Sequence, residues 1–116
     1  MNPAKKVFVA CLLLGASSVA MALECDVNGV KGTISADGQS IETRTPISLK
    51  DQARTYGGYQ RAADFLERNR ADIATNPHYS RAVKSQVSDD LTKNVSDLKC
   101  WAALCQQDSS NAACKF

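Results

Sequence analysis

Apolar residues recur at helical intervals through the second half of the chain. Leu49, Ala53, Tyr56, Tyr59, Ala63, Leu66 and Ile73 lie three, four or seven residues apart. That period predicts an amphipathic helix reaching about Ala74. Ser48, with Asp51 three residues on, resembles a capping box at its start. Gly57-Gly58 interrupts the run, each glycine costing up to about 1 kcal/mol relative to alanine. Two readings stay open there: a kink, or a neighbouring backbone close enough to need a missing side chain. Asn76-Pro77 then gives an N-cap followed by proline at the first helical position. Tyr79, Val83, Val87, Leu91, Val95, Leu98, Ala102 and Cys105 follow, mostly at four-residue steps. A second helix joined by so short a loop makes the pair an antiparallel hairpin.

Residues 24–43 carry a different pattern. Asn28-Gly29 and Asp37-Gly38 are favoured hairpin-turn pairs, set among Cys25, Val27, Val30, Thr33-Ile34 and Ile41. They predict a two- or three-stranded β-meander, which must lean on another element because an isolated hairpin is marginal in water. Thr45-Pro46 should end the extended region. Past the second helix, Gln106 to Asn111 reads as a polar loop, and Ala112, Ala113 and Phe116 should fold back onto the helices. The expected fold is mainly α: an antiparallel helical hairpin with a small N-terminal β-hairpin or meander, braced by two disulfides.

The first residues change the other counts. Lys5 and Lys6 precede an apolar run over residues 7–16, and Ala20-Met21-Ala22 places small residues where a signal peptidase reads. This is the layout of a secretory signal peptide over residues 1–22, with cleavage after Ala22 and Ala20 as the fallback. The run is about half of the roughly 20 residues a membrane span needs. Removing 22 of 116 residues leaves 94, a single domain over residues 23–116. Two of the 14 basic residues leave with the signal, so 12 remain against 12 acids. A formally neutral chain gives no electrostatic argument for nucleic-acid binding. Cys11 also leaves, and Cys25, Cys100, Cys105 and Cys114 remain. An even number of cysteines in an exported domain predicts two disulfides. Zinc would need paired C-x2-C spacing or a nearby histidine, and the sequence has neither. The expected location is the bacterial periplasm or the exterior.

Candidate chemistry is sparse. His78, the only histidine, begins the second helix with no nucleophile motif around it. Asp89-Asp90 diverge by about 100° on a helix. Asp64 and Glu67 share a face, but Arg61 and Arg68 beside Asp64 suggest ordinary surface pairing. Tyr56 and Tyr59 flank the glycines as core and rim. Asn94-Val95-Ser96 matches a glycosylation sequon whose middle residue lies on the buried stripe. Arg54, Arg61 and Arg68 recur every seven residues, so one helix would carry them as a stripe able to dock an acidic partner. A solvated helix face is the plainer reading of the same stripe. No catalytic residue, metal or cofactor is expected.

The cysteines admit three pairings. On an unbroken helix Cys100 and Cys105 point about 140° apart, too far separated to bridge. Cys105 falls on the apolar stripe and Cys100 on the opposite face. If Cys25 looks inward with Val27, Cys25–Cys105 with Cys100–Cys114 is slightly favoured. Cys25–Cys100 with Cys105–Cys114 remains open.

The run Lys99-Cys100-Trp101-Ala102-Ala103-Leu104-Cys105, followed by Cys114, resembles a signature of the TrbM/KikA group of small exported conjugal-transfer proteins. The signal peptide and early Cys25 fit the same layout. The resemblance implies a periplasmic accessory of a conjugation or type IV secretion apparatus. Such a protein has no catalytic site, has the four cysteines as structural residues, and has another cell-envelope protein as partner. A periplasmic inhibitor or immunity protein that blocks an enzyme or effector is the alternative. A small secreted hydrolase would need an acid/base pair that the sequence does not offer. Intact-mass measurement of exported protein should match residues 23–116 less four hydrogens. Free thiols after denaturation would overturn both the compartment and the cross-links.

Overall fold

The computed structural model describes residues 24–116, so the signal-peptide reading of residues 1–22 lies outside them. Strands β1 (Asn28–Ile34) and β2 (Ile41–Ser48) form an antiparallel hairpin, followed by helices α1 (Leu49–Tyr56), α2 (Tyr59–Thr75) and α3 (Arg81–Gln107). A short 3-10 turn, Ala112–Cys114, is the last element among the described residues. The fold is mainly helical, as expected, with α2 and α3 forming the helical hairpin. Among the described residues no helix is long and apolar enough to cross a membrane.

Local chemistry explains most boundaries. Ser48 accepts from Asp51 N at 3.2 Å and starts α1 as expected. The glycine pair does not kink one helix but separates two. Gly57 (φ 88°) takes the left-handed C-cap of α1, and Gly58 (φ 139°) follows in another conformation favouring glycine. Asn76-Pro77 does not begin α3. Asn76 instead accepts from His78 N at 2.9 Å in a turn, and Ser80 caps α3 by accepting from Val83 N at 3.1 Å. The capping signal is therefore four residues later than the proline suggests.

The hairpin departs further from expectation. Asp37-Gly38 lies at its tip, within a loop over residues 35–40, but Asn28-Gly29 opens β1 and makes no turn. There are two strands and no third among the described residues. Gly29 is small for a different reason: a Cβ there would collide with the Asn94 side chain and touch Leu49. Thr45-Pro46 does not stop β2 either. Pro46 faces Val30, whose N–H and C=O both turn outward to Asn94. Pro46 therefore sits in a non-hydrogen-bonded pair, with its nitrogen on the solvent edge, where no donor is needed. A register shift near Thr33 leaves Glu42 as an extra residue, a bulge toward the tip.

The core lies where α1, α2 and α3 meet. Leu49, Ala53, Tyr59, Ala62, Ala63, Leu66, Val95, Leu98 and Trp101 form one buried cluster. Asn94, 1% exposed, is its polar neighbour on α3. Its side-chain oxygen accepts from Val30 N at 3.0 Å, and its NH2 donates to Val30 O at 2.8 Å. That burial also closes the sequon to glycosylation.

Two disulfides join Cys25 to Cys100 and Cys105 to Cys114. This corrects the favoured pairing, though Cys105 packs toward the core as its helical position requires. The segment entering β1 runs along the Cys100 flank of α3: Trp101 Nε1 donates to Asp26 O at 2.7 Å, and Lys93 pairs with Asp26. The tail returns on the other side, where Tyr59 OH donates to Ala113 O at 2.7 Å and Lys50 Nζ to Ala112 O at 3.1 Å. Cys25 is thus carried to Cys100, and Cys114 to Cys105. The sequence separations are 75 and 9 residues. On chain-entropy grounds the longer loop contributes about 4–5 kcal/mol and the shorter about 2.5–3 kcal/mol.

Asn94→Ala should cost about 2–4 kcal/mol in urea unfolding, because it leaves Val30 N–H and C=O without partners. Gly29→Ala should act in the same direction by displacing the Asn94 side chain. Stability equal to wild type in both variants would show that the hairpin does not depend on this contact.

Candidate functional site

The candidate residues scatter. His78 sits in the α2–α3 loop against the hairpin tip, with Nε2 3.0 Å from Ala36 O, a bond the Nε2–H tautomer donates. A Cβ on Gly38 (φ 74°) would collide with the His78 carbonyl. Ser80 N donates to Gly38 O at 2.8 Å, and Ser80 Oγ to Gln39 O at 3.2 Å. The only histidine thus belongs to a clasp on the tip. Asp37 organises the same loop by accepting from Ser35 Oγ at 2.7 Å and Gln39 N at 3.1 Å. The Ser35 bond first, then the Gln39 N–H, lowers its pKa from the ordinary carboxylate value.

The acid pairs also separate. Asp64 accepts from Gln60 at 3.0 Å rather than joining the arginines expected to pair with it. Glu67 accepts both Arg70 bonds at 3.0 Å, which lowers its pKa. Asp90 binds Arg44 on β2 at 2.6 Å and accepts from Gln86, while Asp89 is exposed. Among the described residues no three His, Cys, Asp or Glu side chains gather as a metal-binding group.

The arginine stripe is interrupted. Arg54 belongs to α1 and pairs with Asp51, whereas Arg61 and Arg68 share α2 beyond the glycine break. Arg61 lies over Gly57, where an added Cβ would come within 3.4 Å of its Nη1. Arg68 places its guanidinium 5.9 Å from the Phe65 ring centroid. Tyr59 is core, stacked near Trp101 at 5.9 Å between centroids, and burial raises its phenol pKa. Tyr56 is half-buried and stacks on Phe65 at 4.3 Å.

That stack marks a feature the helical periodicity did not reveal. The hairpin and α2 both lie beside α3, and between them runs a groove of about 280 Å³. Ile34 and Ile47 line the hairpin side, Tyr56, Phe65 and Ile73 the α1–α2 side, and Leu91 on α3 the floor. All six are half-buried rather than buried. Gln52, Asn69, Asn94, Lys31 and Asp90 are its polar lining. Phe65 was the available signal: it is a large aromatic beside Leu66, off the stripe that builds the core. An aromatic off the core face needs a second surface to lie against, and here that surface is the groove.

Comparison with protein families, with curated proteins and with solved structures finds no match.

Because Leu91 is only half-buried at the edge of the core cluster, Leu91→Ala should cost no more than about 1.5 kcal/mol, against about 2–5 kcal/mol for the fully buried Leu98→Ala. Equal losses in denaturant unfolding would show that the groove wall is structural core.

Proposed function

We propose that the protein is a non-enzymatic accessory of the bacterial periplasm that acts by binding another cell-envelope protein, in a conjugation or type IV secretion apparatus. The observation that carries the binding reading is the use made of the reactive side chains. All four cysteines of the exported domain are joined in bridges that fix both chain ends to α3. His78 is engaged with the hairpin tip, and Asp26, Asp51, Glu67, Asp90 and Asp97 are held in ion pairs with Lys93, Arg54, Arg70 and Arg44. Between the hairpin and α2 stands an open, largely apolar groove with polar groups in its lining, the kind of surface that supports recognition. Disulfides suit an oxidising compartment, in keeping with the export segment. The assignment to conjugation draws on the cysteine signature around Trp101 alone.

The alternative is an inhibitor or immunity protein, which the same braced scaffold and open groove would also serve. The two part on a genetic and a biochemical test. Removing the gene from a conjugative donor should lower transfer, and periplasmic cross-linking should capture an envelope protein. Normal transfer, together with inhibition of an enzyme by the purified protein, would favour the alternative. His78→Ala should preserve function, since its contact is with the hairpin tip. Loss of function in a folded His78→Ala protein would overturn the non-enzymatic reading. Charge reversal at Arg54, Arg61 and Arg68 should slow partner association at low salt, and a salt-independent, unchanged rate would return those residues to a solvated face.

A further inference from the structure

The groove between the hairpin and α2 carries more information than its apolar lining. At about 280 Å³ it lies at the lower edge of the roughly 300–1,000 Å³ of ligand pockets, space for a side chain or two rather than a folded domain. Its charge is one-sided in availability. Asp90, its acidic group, is bound by Arg44 and Gln86. Lys31 in the hairpin wall is exposed, and Arg68, also exposed, stands just outside the lining with its guanidinium 5.9 Å from the Phe65 ring centroid. Neither cation has a carboxylate partner among the described residues. Two side-chain amides, Gln52 and Asn69, also line the groove without a hydrogen-bond partner among the described residues.

We propose that this groove binds a short peptide segment of a partner protein, one that presents a bulky apolar side chain beside a carboxylate. The proposal rests on the binding reading above and gives it a place. The apolar side chain would lie against Tyr56, Phe65 and Leu91, gaining from the apolar surface it removes from water. The carboxylate answers Lys31 in the lining and Arg68 beside Phe65. The amides decide between a peptide and an alkyl carboxylate such as a fatty acid. Each amide offers both a donor and an acceptor, which a main-chain peptide group matches. An alkyl chain would cover them without partners, at a desolvation cost.

The test uses the oxidised, exported protein, labelled with nitrogen-15. The probe is an acetylated and amidated tetrapeptide carrying leucine and phenylalanine between two aspartates. Its titration should shift the side-chain amides of Gln52 and Asn69 and the main chain around Phe65 and Leu91, with Kd on the order of 0.1–1 mM. The Lys31→Glu/Arg68→Glu variant changes only surface charges. It should weaken this peptide about tenfold or more and strengthen binding of the peptide with lysines in place of the aspartates. Three results would overturn the proposal: no groove shifts at millimolar peptide, no response to the charge reversal, or decanoate binding with the same footprint and equal or higher affinity. Groove shifts that grow with protein concentration alone would identify a second copy of the chain as the occupant and overturn it too. Cross-linking in cells separates this from the wider reading. An envelope partner captured equally by wild type and the charge-reversed variant sinks the groove but keeps the binding function. Peptide binding without any envelope partner sinks the accessory role but keeps the groove.

Discussion

The contact between the Asn94 side chain and the Val30 main chain is the constraint on which the arrangement depends. A two-stranded hairpin is marginal alone, and this one has an edge of unpaired main-chain groups facing a helix. One amide, 1% exposed, satisfies both outward groups of Val30, so α3 supplies a single residue's worth of a third strand. A buried amide left unpaired would cost several kcal/mol, so the hairpin gains one register on α3 rather than several. Gly29 provides the clearance for that approach, and Pro46 sits opposite, where a missing donor does no harm.

Other contacts extend the attachment along the hairpin. At its base are the Cys25–Cys100 bridge and the Trp101–Asp26 bond. Midway along, Arg44 reaches Asp90 from the strand position facing Gly32. At the tip, Ser80 and His78 hold the loop at Gly38 and Ala36. All of these join the hairpin to α3 or to the loop before it, and none joins it to α2. The groove follows from that arrangement: the hairpin and α2 each rest on α3, and α1, which continues directly from β2 and packs on α2, joins the two walls. Such a site is ordered before anything binds, which lowers the entropy cost of recognition.

The cross-links offset a small core. Leu49, Leu98, Val83 and Asn94 are the largest fully buried side chains, and one of these four is polar. A domain of this size buries a limited fraction of its surface. The long loop closed by Cys25–Cys100 restrains the unfolded chain, while Cys105–Cys114 folds the tail so that Tyr59 can donate to Ala113. Structural cysteines thus do for this fold what additional buried apolar area does in a larger one.

Periodicity alone determined that there are helices with an apolar face, that α2 and α3 pair, and that Leu49, Val83, Val95 and Leu98 are core. These follow from local geometry, because a residue's face on a helix depends only on its position along it. The even cysteine count likewise determined that there would be two bridges. Their partners were a tertiary matter: Cys100 and Cys105 face where the helix puts them, but which chain end passes each face depends on how the hairpin and tail dock. The same holds for Gly29 and Gly57. A glycine in sequence signals freedom or closeness, and only the fold shows that Gly57 caps a helix while Gly29 admits Asn94. Asn94 itself read only as the first residue of a sequon, because its burial depends on a strand 64 residues away. The groove was illegible for the same reason. Lys31, Gln52, Tyr56, Phe65 and Leu91 come from four elements, and nothing in their spacing along the chain places them around one space.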